Sequence, residues 1–209
     1  MSKRNTILVI VMILLLDQLS KVYIKTNFIL NEDVTIFSWF KIVFVENDGM
    51  AWGTKLSDFI PAISDRSAKL ILTLFRIFAV TGIAFWLLDV LKKQKSRVLT
   101  FAIAIIFAGA LGNILDSVFY GVFFSDSLVD VASFLPNEGG YADIFHGKVV
   151  DMFHFPIWSG ILPEGIPFIG GTYFSFFDPV FNIADVAISI GIGILIVFNK
   201  SAFIEKKKS

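Results

Sequence analysis

The 209-residue sequence contains no cysteine. That excludes disulfides, thiolate catalysis, iron–sulfur clusters and cysteine-type zinc sites. Histidine is scarce: only His146 and His154 occur, too few for a histidine-rich metal site. Charge of one sign is not in excess, with 18 Lys and Arg against 18 Asp and Glu, so nothing points to nucleic acid or an acidic partner. No Ser/His nucleophile set stands out, and no loop has the carboxylate spacing that binds Mg²⁺ or Ca²⁺, so neither metal nor cofactor is expected. There is no internal repeat. What the chain has in abundance is apolar surface: 56% of residues are hydrophobic and mean hydropathy is +0.76. A soluble domain of this length is less apolar, and the class implied is an integral membrane protein.

Four segments are long enough to cross a hydrocarbon core of roughly 30 Å at about 1.5 Å per residue. They are 6–24, 70–91, 98–120 and 180–198. The first begins like a cleavable leader, with Lys3 and Arg4 before ILVIVMILLL. It lacks a small-residue cleavage site, and Asp17, Gln18 and Lys21 follow instead, so it is expected to stay as a span. Lys3 and Arg4 precede span one; Lys92, Lys93, Lys95 and Arg97 fill the 2–3 turn; Lys200, Lys206, Lys207 and Lys208 follow span four. These are ten of the 18 basic residues, whereas the 3–4 connection holds Lys148 alone. The positive-inside bias predicts both termini in the cytoplasm and both long connections outside.

The expected fold is therefore an all-α membrane protein, a single membrane-embedded domain over 1–209. Between spans one and two, VTIFSWFKIVFVEN is rich in β-branched and aromatic residues and predicts two short strands. Trp39 and Trp52 suit an interfacial aromatic belt. The long loop 121–178 carries too many apolar side chains for a free linker. It is expected either to lie on the bilayer surface or to cover a site.

A carboxylate inside a span costs roughly 2.5–3.5 kcal/mol on insertion scales, which makes Asp185, within VFNIADVAISIGIGILIVF, the residue to explain. Asn182 shares its helical face. Orientation places Asp17 and Lys21, Asn113 and Asp116, and Asn182 and Asp185 in one slab, the outer leaflet, with Asp151 of KVVDMF in the adjoining connection. Some of these have structural readings. Asp17 and Lys21 stand at i, i+4 and permit an ion pair. Asn113 and Asn182 suit interhelical hydrogen bonds, and Gly109 and Gly112 close helix approach. Arg76 reads as snorkelling or internally paired, and the two histidines as interfacial. For Asp116, Asp151 and Asp185, Lys21 and Arg76 are too few cations to neutralise all three. Two carboxylates forced together share one proton and can activate one water against a carbonyl, the logic of an aspartic protease. A proton- or ion-coupled transporter also keeps carboxylates in its spans, but four spans without an inverted repeat speak against it.

DQLSK (17–21), VENDGMAWG (45–53), GALGNILDS (109–117), VVDMF (149–153) and FNIADVAIS (181–189) occur in the order found in the lipoprotein signal peptidases, or signal peptidase II. The chain resembles that family over nearly its whole length. The resemblance implies an aspartic endopeptidase of the bacterial inner membrane. It would remove the signal peptide of prolipoproteins on the N-terminal side of a diacylglyceryl-modified cysteine, among membrane lipids, and be inhibited by globomycin-type compounds. It implies Asp151 and Asp185 as the catalytic pair, with Asn47, Gly49, Asn113, Asp116 and Asn182 lining or supporting the site and Asp17 and Lys21 structural. Two departures stand out. Position 117 is Ser where the family's block usually has Arg, with Lys148 and Arg76 as substitutes, and some thirty residues separate Gly121 from Asp151.

Overall fold

The structure, a computed structural model, describes residues 1–48, 54–60 and 62–203. Gly49 and Trp52, singled out above, lie outside the described residues. Among the described residues, three helices are long and apolar enough to cross a membrane: Lys3–Asn27, Asp65–Lys92 and Arg97–Phe123. The spans expected over 6–24, 70–91 and 98–120 fall inside them. Each begins on a serine whose side chain takes a backbone N–H left over by the first turn. Ser2 accepts from Asn5 at the start of α1 (Lys3–Asn27), Ser64 from Ser67 before α3 (Asp65–Lys92), and Ser96 from Val98 before α4 (Arg97–Leu115). A single short turn, α2 (Leu56–Phe59), precedes α3. Past Leu115 the third helix widens into a π-helical turn, Asp116–Tyr120, and ends with α5 (Gly121–Phe123).

The stretch 180–198, expected to be a fourth full span, divides in two. Val180–Phe181 is a strand, β6, and the helix α6 is Ile183–Val197, 15 residues long. Asn182 between them is the N-cap, and with Asp185 it forms a reciprocal capping box. Asp185 thus sits in the first turn, near the four N–H groups that helix starts leave unpaired, not deep in an apolar run. A short helix, α7 (Asn199–Phe203), follows.

The strands expected between spans one and two form, as β1 (Asp33–Phe37) and β2 (Phe40–Asn47). The sheet is larger than expected, because the 3–4 connection contributes to it. Its order is β1-β2-β3-β6, all antiparallel, with β3 running Val149–His154. A separate hairpin pairs β4 (Trp158–Ile161) with β5 (Tyr173–Phe176). On one face of the sheet Phe44, Val150 and Met152 pack with Ile24, Tyr120, Phe124 and Ala132. Segment 124–148 wraps the same end of the molecule. Ala132 donates to the Lys25 carbonyl, Ala142 to Gly121, Phe145 to Val118 and Gly147 to Ser117.

The third long helix is the most buried of the three, and α6 packs against it most closely. A Cβ built on Gly109 meets the Ala184 carbonyl oxygen at 2.3 Å, and one on Gly112 meets Asp17 Oδ2 at 2.6 Å. Both glycines let backbone and carboxylate approach where any side chain would hold them apart. Gly109→Ala should therefore destabilise by about 1–3 kcal/mol through overpacking. Gly193→Ala on α6 has nothing within 4 Å of its new methyl and should be neutral or stabilising. Thermal unfolding in detergent compares the two; equal midpoints would refute the close crossing.

Candidate active site

The site begins with one face of α1. Asp17, Lys21 and Lys25 are spaced by four residues, so they stack along the helix, and all three are buried. Lys21 Nζ lies 2.9 Å from Asp17 Oδ2 and 2.7 Å from Asp116 Oδ2, and it donates to Asn113 Oδ1 at 2.8 Å. An ammonium has three donors, and Lys21 spends them on two carboxylates and one amide. Gln18 closes the ring: its Nε2 donates to Asp17, Asp116 and the Gly112 carbonyl, and Tyr120 donates to its Oε1 at 3.2 Å. Asp17 Oδ1 also accepts the Ala184 N–H at 2.9 Å, tying the start of α6 to α1.

From this anchor the network runs to two further carboxylates. Because Asn113 Oδ1 faces Lys21, its amide nitrogen faces away and donates to Asp185 Oδ1 at 2.9 Å. Asp185 Oδ2 accepts the Asn182 N–H at 3.2 Å. The Asn182 side chain accepts the Asp185 N–H at 3.0 Å and donates to Asp151 Oδ1 at 2.7 Å. It also donates to Asn113 Oδ1 and the Val150 carbonyl at 3.1 and 3.3 Å. Asp151 Oδ2 accepts from Asn47 Nδ2 at 3.1 Å. The sheet register explains that last bond. Val45 pairs with Asp151 and Asn47 with Val149, so Asn47 and Asp151 share a face as diagonal neighbours. Asp116 fixes the strand from below, accepting the Val150 N–H at 3.3 Å.

Asp151, Asp185, Asn47, Asn113, Asn182 and Asp116 are thus joined in one hydrogen-bonded cluster, with Asp17 and Lys21 at its base. Burial pushes the Asp151 carboxyl up to about 7. The Asp185 charge acts in the same direction, against the Asn47 and Asn182 hydrogen bonds and the Lys21 charge. Each oxygen of the two carboxylates accepts one amide hydrogen bond among those named, which leaves lone-pair capacity on both. Two carboxyl groups in one hydrogen-bonded cluster can together give and take protons.

The remaining sequence candidates are Ser117, Lys148, Arg76 and the two histidines. Ser117 is buried and donates to its own helix at Asn113 O, 3.0 Å. Lys148 Nζ stands 3.5 Å from Glu46, not at the carboxylate pair. Arg76 lies in the field of Asp185, Asp151 and Asp116. His154 Nε2 is 3.5 Å from Asp178, and His146 Nδ1 is 3.0 Å from the Ile144 carbonyl. Among the described residues no group of three His, Cys, Asp or Glu side chains is arranged to hold a metal ion.

Sequence reasoning missed Gln18 as a bridge and Lys25 as a second buried cation. Lys25 Nζ reaches Glu46 Oε1 at 2.5 Å and Ser127 Oγ at 3.0 Å, with the Tyr141 ring centroid at 4.7 Å. The signal was the i, i+4 step from Lys21. A cavity of about 950 Å³ at the sheet end is lined by Lys69, Tyr141 and Lys148 among others, and by neither member of the pair.

The family model described as "Signal peptidase (SPase) II" matches residues 9–200. A lipoprotein signal peptidase of Porphyromonas gingivalis is 45% identical over 190 residues, covering 90% of this chain and 79% of the relative. One of Amoebophilus asiaticus is 32% identical over 195 residues, covering 91% and 75%. A bacterial membrane enzyme solved by the in meso method superposes with a TM-score of 0.59 at 22% identity, over 94% of this chain and 93% of its own. The chain belongs to the signal peptidase II family.

Removing Lys21 leaves Asp17 and Asp116 buried without their ammonium. Lys21→Met should cost about 3–5 kcal/mol, whereas Lys41→Met, at the exposed Lys41–Asp33 pair, should change stability by about 1 kcal/mol or less. Denaturation in mixed micelles measures both. A Lys21→Met protein as stable as Lys41→Met would remove Lys21 from the centre of the network.

Proposed function

We propose that this signal peptidase II removes signal peptides from prolipoproteins by an aspartic mechanism, with Asp151 and Asp185 as the acting pair. Membership of the family carries the hydrolase activity, the prolipoprotein substrate and the bacterial inner membrane. The carboxylate pair joined through Asn182 is the observation that carries the mechanism. The ionised member takes a proton from water, the water oxygen attacks the scissile carbonyl carbon, and the protonated member gives its proton to the carbonyl oxygen. Collapse of the tetrahedral adduct breaks the C–N bond and returns a proton to the leaving amine. Asn113, Asn182 and Asn47 aim the carboxylates, Asp116 holds β3, and Asp17 with Lys21 holds Asn113; Gly49 is assigned to the site through its family motif.

Four spans, both termini cytoplasmic and one domain over 1–209 complete the reading, with α6 as a short fourth span extended by β6. The distribution of basic residues supports that orientation. It puts the sheet end and the carboxylate pair outside, at the depth where a diacylglyceryl-cysteine in the outer leaflet presents its peptide bond. Membrane lipids surround the spans, and globomycin-type inhibitors are expected to compete with the substrate.

Asp151→Asn and Asp185→Asn should each lower cleavage of a diacylglyceryl-modified precursor by a factor on the order of 10⁴. Asp116→Asn should lose less. Wild-type turnover in either of the first two sinks the assignment, and full loss in Asp116→Asn reopens the choice of pair. The proton Asp151 holds below about pH 7 is lost above it. In the wild type kcat/KM should therefore fall as pH rises through about 7, a profile measurable with the same precursor; an unchanged rate up to pH 9 would contradict a shared proton.

A further inference from the structure

Between the strand that carries Asp151 and the helix that carries Asp185 the chain leaves the sheet and makes the β4–β5 hairpin. Residues 155–177 hold one charge, Glu164, and no Lys or Arg, while twelve of the 23 are Ile, Leu, Phe, Trp or Tyr. These side chains are not buried inside the molecule. Phe168 at the tip is fully exposed, and Ile161 and Tyr173 are 72% and 71% exposed. Register puts Trp158 opposite Phe176 and Gly160 opposite Phe174, so one face is aromatic; Ile161 and Tyr173 pair on the other. A two-stranded hairpin is marginal by itself in water, and an exposed apolar surface of this extent marks an interaction site.

Its surroundings identify what covers it. At its root Phe155 stacks on Phe40 at 4.8 Å and on Phe181 at 5.6 Å, and Trp39 is 6.1 Å away. This aromatic cluster ends one residue before the N-cap of the apolar helix α6, whose Ile190, Ile192 and Ile196 are exposed. Both hairpin edges keep unpaired N–H and C=O groups, which hydrocarbon does not tolerate. A position among headgroups, with aromatic rings and the apolar tip dipping toward the acyl chains, satisfies backbone and side chains together.

We propose that the β4–β5 hairpin is an interfacial anchor that docks on the lipid bilayer at the end of the molecule holding the Asp151–Asp185 pair. It fixes where the membrane surface meets the sheet, and so the depth at which β3 lies. The inference rests on the membrane location of the chain and stands whether or not that pair is catalytic.

The absence of cysteine makes a direct test available. Phe168→Cys, Ile161→Cys and Tyr173→Cys, each labelled with a nitroxide, are reconstituted in phosphatidylethanolamine/phosphatidylglycerol vesicles. Phe78→Cys on the exposed face of α3 serves as a lipid reference and Glu138→Cys as a water reference. Relaxation by oxygen is compared with relaxation by a water-soluble nickel chelate. The expected result is that label 168 collides with oxygen more than with the chelate, as label 78 does, and that 161 and 173 fall between the references. Access to the chelate equal to that of label 138 would place the hairpin in water and overturn the proposal. Shielding from both agents would also overturn it, in favour of a second copy of the chain or a fold-back onto the site. Precursor cleavage plays no part in the readout, so loss of the catalytic reading and loss of this one are separately visible.

Discussion

A single buried ammonium sets the geometry of everything near it. Lys21 holds Asp17 and Asp116 at 2.9 and 2.7 Å and takes the oxygen of Asn113. Its two carboxylates do the joining. Asp17 receives the Ala184 N–H of α6 and Asp116 the Val150 N–H of β3. A helix from each end of the sequence, the central helix and a strand from a long connection are thus referred to one charge. Desolvating a cation and two anions is unfavourable on its own, and the arrangement holds only because hydrogen bonds satisfy each group. Gln18 and Tyr120 supply them.

The orientation of Asn113 follows from that charge. An amide presents an oxygen on one side and donors on the other. With its oxygen turned to Lys21 and Asn182, Asn113 has a donor left for Asp185. Asn182 is constrained in the same way: as N-cap its oxygen accepts from Asp185 N, so its nitrogen points to Asp151. Two asparagines therefore carry directional information from a salt bridge to a pair of acids. Neither needs to change charge to do so.

Much of this was legible in the residues. The three long helices fall where apolar runs and flanking bases put them, and β1 and β2 where β-branched and aromatic residues cluster. The polar side chains that share a depth in the reading, from Asp17 to Asp185, do meet. What was not legible depends on partners distant in sequence. Val180 and Phe181 read as the start of a helix because their apolar side chains fit either state; pairing with His154 and Phe153 makes them strand. KVVDMF reads as an interfacial stretch until β2, about a hundred residues earlier, pairs with it. Lys25 stands just past the expected end of span one, and loop 124–148, through Ser127 and Tyr141, covers it. Local pattern placed the helices; the sheet and the second buried lysine needed contacts no local pattern encodes.

The four aspartates of the cluster, three of them buried and Asp185 half-buried, differ in what touches them. Asp17 and Asp116 each take the Lys21 ammonium, at 2.9 and 2.7 Å. The hydrogen bonds described to Asp151 and Asp185 come from amides, and amide donors tolerate either charge state of the oxygen they face. A group that must take up a proton and give it back within one turnover needs that indifference. A cation clamped on both acids would favour one state and oppose the other. The same chain thus sets one residue type beside two kinds of neighbour, an ammonium at Asp17 and Asp116 and amides at Asp151 and Asp185. That difference supports the proposed choice of Asp151 and Asp185 as the acting pair.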